Sequence, residues 1–430
     1  MRILYDENFS EGFCSCRHIF FGTIFIFNDL YAAPQPSVSP SPDMEVLIGE
    51  PFLFQVEFDN TDATDTGYGP FIDVVVPATG VDGDDGIDSS SATYHGVAVT
   101  TTVMTFPDDG SGTGCVDHPL AVDNAGVPLR VCGKAGDKLI TIECPFGSFV
   151  PDQPPAVLDL NLPLSNKADL GTPLTIYTRA GFRFGSTALD DYATDPSIVS
   201  DADTDPTTWA RHTTITPALM TVEKTFSDEE AETATGPNFP RRYIIEVNIA
   251  DGQVISDLDV TDMLPSNVVF LSVLSSSSSS GAGTVTSAPA AGEPVNPPDN
   301  NLVVHFASVT GGTPVRVEFE YFIPQFDADN ATVIDASSGD DVLSDNNAKA
   351  VGDWTPIDNR DTGGTDNAVA DPPGVEHSLT DKAIAIQKSS SVVSGNGINP
   401  GSVLEYTITF QVSDYFSFKD VVVNDIFSDG

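Results

Sequence analysis

Two loops carry aspartates at spacings that could gather oxygens around a hard cation. Val81–Asp88 reads VDGDDGID and offers Asp82, Asp84, Asp85 and Asp88. Asp201, Asp203 and Asp205 alternate in DADTD. Ca²⁺ takes about six to eight oxygen ligands, among them carboxylates and carbonyls, so either loop is a candidate structural Ca²⁺ site. Neither loop is an EF-hand: Pro206 follows Asp205, and His212 stands twelfth from Asp201 where a bidentate Glu belongs. The same residues also read as solvated loops of an acidic chain.

A second chemistry needs a lysine, an asparagine and a buried carboxyl. Together they can condense to an amide with loss of ammonia. Lys224 stands on a strand-like run, Asn346 and Asn347 follow the last strong strand, and Glu246, Glu318 or Glu320 could supply the acid. Glu320 is the acid expected, and the repeat described below argues against Glu246, whose counterpart is Thr409. The bland alternative for Lys224 is an ordinary surface lysine. Hydrolytic catalysis finds little support. His95, His118, His212, His305 and His377 are scattered, with no GxSxG or HExxH near them, and read as strand or surface histidines. Trp209, Trp354 and Tyr68 could stack on sugar rings if exposed. Phe182 and Phe184 read as core, and Arg179 and Arg183 beside them as partners for acidic loops.

These residues are set in a chain of 430 residues with 63 acidic and 18 basic side chains, a net charge of −45. Such a field repels nucleic acid and anionic membrane surfaces, which excludes both as partners. Hydrophobic residues make up 40%, enough for packed cores. The many Gly and Pro residues suit short strands joined by turns. Of the five cysteines, Cys14 and Cys16 fall near the N-terminus, leaving Cys115, Cys132 and Cys144. Three thiols allow one bridge at most there, and spacing does not say which.

Residues 1–34 read as a leader. Ile19–Phe27 is a nine-residue apolar run, the length of a signal-peptide core and too short to span a bilayer. The acidic Asp6, Glu7 and Glu11 leave a degenerate signal peptide and a miscalled start equally open. A divergent β-domain is expected over 35–218, with strands at MEVLIGE, PFLFQVEFDN, DVVVP, AVTTTVMTF, PLRVC, LITIEC and LTIYTRAGF. A second is expected over 219–382, with LMTVEKTF, YIIEVNI, ISDLDVTDML, VVFLSVL, NLVVHFASV and VRVEFEYFI; Ser275–Ser280 reads as a surface loop. The run AIAIQKSSS opens a further unit over 383–430, which the chain leaves incomplete. No segment shows a helical period. The fold expected is all-β: tandem antiparallel sandwiches, the last truncated.

The chain also repeats itself. Tyr243–Leu264 laid on Tyr406–Phe427 keeps Tyr243/Tyr406, Ile245/Ile408, Asp251/Asp414, Asp257/Asp420, Val260/Val423 and Asp262/Asp425 in step. Looser echoes pair Gly49–Asn60 with Pro400–Gln411 and Phe71–Pro77 with Phe418–Asn424. Lys388, Pro400-Gly401, Tyr406-Thr407-Ile408 and Asp420–Asp425 resemble the bacterial surface-protein repeat known as the DUF11 domain. Lys224-Thr225, Tyr243–Asn248 and Asp257–Pro265 resemble it too, with Asn238-Phe239-Pro240 in place of the usual Pro-Gly. The resemblance is good over about 220–430 and weak before. It implies immunoglobulin-like sandwiches strung along a large secreted or cell-wall protein. The implied role is a non-enzymatic stalk, spacer or adhesin facing an extracellular protein or glycan, with no membrane insertion in this segment. The alternative is a carbohydrate- or matrix-binding module.

Overall fold

A computed structural model describes residues 33–188, 196–226, 233–339, 341–343, 348–369, 379–395, 397, 399 and 401–426. The expected leader therefore lies almost wholly outside the described residues. The chain is all-β, and the 3-10 turn Pro206–Thr208 is the one helical element among the described residues. No helix there is long and apolar enough to cross a membrane.

The first sandwich faces a five-stranded sheet against a larger one. Pro51–Asn60 lies between Pro36–Pro40 and Ala156–Pro163 in the smaller sheet. Its burial alternates strictly, with Phe52, Phe54, Val56 and Phe58 inward, as a period of two requires when one face is solvated. In the larger sheet Pro70–Val76 lies between Leu174–Phe182 and Lys138–Glu143. Every residue of Pro70–Val76 is buried, because the sheet's outer face is also covered. Val75 and Leu139 pack there with Phe106, Val131 and Trp209 in a small second core. The hairpin Thr113–Val122/Pro128–Lys134, closed by the Cys115–Cys132 disulfide, helps form this cover. Cys144 is the buried free thiol; burial pushes its pKa far up, which makes it inert.

One pairing departs from the antiparallel expectation. Arg211–Ala218, the last strand of this sandwich, runs parallel to Met44–Leu47, near its start. Parallel neighbours need a long connection, and here nearly the whole sandwich intervenes.

The second sandwich is immunoglobulin-like by strand order. Met220–Phe226, Arg241–Ile249, Val315–Phe322 and Val269–Ser277 form one sheet in that order. These are the A, B, E and D positions of the constant-type fold. Opposite them, Val254–Met263, Ala348–Trp354 and Gly364–Val369 form the C, F and G positions. Thr284–Ser287 and Asn301–Thr310 are added beside C. The D strand runs on to Ser277, so half of the expected serine loop is strand: Ser275, Ser276 and Ser277 pair with Glu318, Val317 and Arg316. Pairing overrides the weak β-propensity of serine there.

A third unit contributes the hairpin Ile384–Ser394/Val403–Val412. The β-run expected after Phe418 is not a strand over 421–426, where Val422 is 76% and Ile426 88% exposed. Its counterpart Val254–Met263 is a strand because Asn301–Thr310 and Ala348–Trp354 flank it; residues 421–426 have no such ladder.

Candidate functional site

The period of Met220–Phe226 turns Met220, Val222 and Lys224 to the core. Lys224 is therefore an interior lysine rather than a surface one. Its Nζ lies 2.9 Å from Asp262 Oδ2, both side chains fully buried, and 3.9 Å from the Tyr243 ring centroid. Asp262 is on the opposite sheet, in phase with Leu258 and Val260. The ion pair thus crosses the sandwich from the A strand to the C strand, and the tyrosine face supplies a further attraction. The carboxyl beside Lys224 is Asp262, which corrects the expectation of Glu320. Glu320 faces Arg242, 3.5 Å away on the half-exposed face. Asn346 and Asn347 lie outside the described residues. The third unit repeats the arrangement: Lys388 Nζ is 2.6 Å from Asp425 Oδ1 and 4.6 Å from the Tyr406 ring centroid.

The first sandwich has a different buried charge cluster, on the outer face of its larger sheet. Asp73 accepts hydrogen bonds from Arg179 Nε at 2.8 Å, Thr141 Oγ1 at 2.7 Å and His118 Nε2 at 2.9 Å. His118 Nδ1 accepts the backbone N–H groups of Leu120 and Ala121. Nε2 thus faces Asp73 while Nδ1 accepts, so both ring nitrogens are used. Burial alone would push the Asp73 pKa up; the His118 and Arg179 contacts outweigh it and hold the carboxyl well below its ordinary range. This histidine–carboxylate pair is no general base, since both side chains are fully buried. The sequence expectation of His118 as an ordinary strand histidine missed the pair.

Arg179 ties this cluster to the DADTD loop. Its guanidinium stacks 4.5 Å from the Trp209 centroid and donates to the Asp201 carbonyl, while Trp209 Nε1 donates to the Asp203 carbonyl. The loop's carboxylates are used locally. Asp201 accepts from the N–H of Asp203 and Ala210, Asp203 from Asp205, and Asp205 from Thr207. The three form successive capped turns instead of converging on one point.

The other acidic loop behaves differently. Asp82 and Asp85 come together with Asp169, their candidate ligand atoms all within 4.8 Å of one another. Asp169 follows the strand Ala156–Pro163 and went unnoticed in the sequence, lying more than 80 residues from Asp85. Asp88 instead pairs with Lys138, and Asp84 stands exposed at the loop tip with φ +62°. The cluster sits where the two sandwiches meet. Arg360, from the turn before Gly364–Val369, donates to the carbonyls of Asp82 and Gly83, lies 2.8 Å from Asp82 Oδ1 and pairs with Asp358. Asp361 adds another carboxyl beside Asp169. Burial, with the Asp361 and Asp85 carboxyls, pushes Asp169 up to about 7. Nearby, Gln253 bridges the junction, donating to the Asn166 carbonyl and accepting from Trp354 Nε1.

Both tryptophans are thus interior, Trp209 at 2% and Trp354 at 8% exposure, and neither offers a stacking platform for sugars.

No protein-family model matches the chain, and no curated protein does. The DUF11 resemblance therefore stands on the motif residues and the internal repeat. Among solved structures, full-length major pilin SpaD from Corynebacterium diphtheriae is 12% identical over 79% of this chain and 70% of its own, with a TM-score of 0.24. The major pilin subunit BcpA of Bacillus cereus is 10% identical over 73% and 84%, TM-score 0.26. A C-terminal fragment of the Streptococcus agalactiae major pilin GBS80 is 10% identical over 81% and 91%, TM-score 0.23. At these scores the likenesses carry no functional weight, and the fold assignment rests on strand order.

Proposed function

We propose that the chain is a non-enzymatic stalk segment of an extracellular surface protein, its second sandwich braced across the core from a lysine on the first strand. The observation carrying this reading is the Lys224–Asp262–Tyr243 arrangement, recurring as Lys388–Asp425–Tyr406. A brace joining the two sheets resists their separation along the chain axis, which is what a spacer under tension needs. The Cys115–Cys132 bridge fits an oxidising compartment, and the charge of −45 keeps neighbouring stalks apart. Antibody labelling of intact cells of the source organism tests the location; signal only after permeabilisation would overturn it.

We propose further that the brace belongs to an amide-forming site, with Asn347 as its third member. Asn347 immediately precedes Ala348, whose Cα partner is Asp262. In such a site Lys224 gives a proton to the carboxylate, and its neutral Nζ attacks the asparagine Cγ. The new C–N bond replaces the carboxamide C–N bond; the leaving NH₂ takes the proton that Asp262 returns and departs as ammonia, while the second Nζ proton passes to Asp262, which ends protonated. Intact-mass spectrometry is expected to read one ammonia below the sequence mass for this unit, and the full mass in Lys224→Met. A full mass in the wild type leaves the brace ionic.

The hairpin bridge supports the first sandwich independently. It links residues 17 apart in sequence, and closing a loop of that size is worth about 3 kcal/mol in the chain-entropy account. Denaturant titration of the Cys115→Ser/Cys132→Ser variant is expected to show a loss of that order in the first sandwich's transition and none in the second's.

A further inference from the structure

The junction between the two sandwiches holds a set of acids that local pairing does not balance. Asp82, Asp85 and Asp169 come from the first sandwich, and Asp358 and Asp361 from the second. The positive groups facing them are Arg360 and Lys167, and Arg360 is committed to Asp82 and Asp358. That leaves Asp85, Asp169 and Asp361 crowded against one another. The crowding is not confined to the surface: Asp85 is only 1% exposed, and its Oδ1 has no hydrogen-bond donor. Asp169 Oδ2 is likewise buried and without a donor. A buried carboxylate oxygen normally finds a donor or a metal; the second option fits here, because the unsatisfied oxygens belong to carboxylates that meet at one point.

We infer that Asp82, Asp85 and Asp169, joined by Asp361 from the second sandwich, form a Ca²⁺ site that locks the two sandwiches together. The ligand atoms of Asp82, Asp85 and Asp169 all lie within 4.8 Å of one another, and a cluster of protein carboxylates suits Ca²⁺, which takes about six to eight oxygens in flexible geometry, better than Mg²⁺, which keeps several of its waters. All the donors are hard oxygens, water completes the shell, and no nitrogen or sulfur ligand competes for a softer metal. Bridging residues far apart in sequence, the ion stiffens the joint between repeats rather than a single loop. The site stands or falls independently of the stalk reading.

Calorimetric titration of the chelator-treated full chain with CaCl₂ tests it, paired with thermal unfolding. One ion per chain and a rise of several degrees in Tm are expected. Asp85→Asn and Asp169→Asn each remove like charge from the cluster, so each is expected to unfold no lower than wild type in chelator while losing the Ca²⁺ response. The Asp201→Asn/Asp203→Asn variant is expected to keep that response. The inference is overturned by absence of heat and Tm shift in the wild type, by binding that survives in Asp85→Asn/Asp169→Asn, or by binding lost only in the DADTD variant. Mg²⁺ binding as tight as Ca²⁺ would overturn the choice of ion.

Discussion

Asp73→Asn is expected to lower the stability of the first sandwich by about 3–5 kcal/mol, the cost of leaving a buried charge without its partner. The charge left behind is Arg179, 1% exposed between the sheet and the DADTD loop. For a unit of this size the loss corresponds to a fall in Tm on the order of 10 °C. The second sandwich, with its own transition, serves as the internal standard. The pH dependence follows from the direction of the Asp73 shift. Its folded pKa lies below the value of about 3.9 expected in the unfolded chain. Folding therefore favours the ionised form, and that contribution is complete above pH ~4. It is lost as pH falls through the folded pKa. The gap between wild type and Asp73→Asn should be constant from pH 5 to 8 and narrow below pH 4. A gap unchanged into strong acid would show that the lost packing of the site, and not the carboxylate charge, carries the effect.

Much of the fold was legible from alternation. Phe52, Phe54, Val56 and Phe58 announce a half-buried strand, and Tyr243, Ile245 and Val247 another. Strands whose sequences do not alternate hydrophobic with polar residues escaped. TGCVDHPLAV became strand Thr113–Val122 because Pro128–Lys134 pairs with it and a disulfide closes the hairpin. The run GTDNAV is a strand because it continues the ladder of Ala348–Trp354. Such pairings depend on neighbours distant in the chain, which a local window does not see.

The sites divide in the same way. The DADTD pattern was conspicuous, yet alternation along a turn let each carboxylate cap the next backbone N–H. The pattern thus reflects local turn chemistry. The junction cluster draws Asp169 and Asp361 from other loops, and no spacing rule joins those to Asp82. Asp262, by contrast, was within reach. It was already aligned with Asp425, and it lies two residues beyond Val260 on the inward face. The same phase places Lys224 with Met220 and Val222. Charges at apolar-phase positions of two strands mark a buried pair, and the repeat keeps the same partners in the half-exposed Lys388 and Asp425.

That pair leads to the other large effect. Lys224→Met keeps the length of the side chain and leaves Asp262 charged in the core, which is expected to cost about 3–5 kcal/mol in the second sandwich. Lys224→Met/Asp262→Leu removes both charges at similar volume and is expected to recover most of the loss, since a well-packed apolar pair often matches a buried ion pair. The double variant separates two accounts of the brace. If the pair is purely ionic, the double variant should unfold near the wild-type denaturant midpoint, with the single variant far below. If Lys224 is bonded covalently across the sandwich, the wild type also loses chain entropy in its unfolded state, as a disulfide-closed loop does. Both variants would then fall well below it, and the double variant could not return. Denaturant unfolding of the three proteins, read beside their intact masses, distinguishes these outcomes, and a single variant as stable as wild type would remove the brace from the account of this fold altogether.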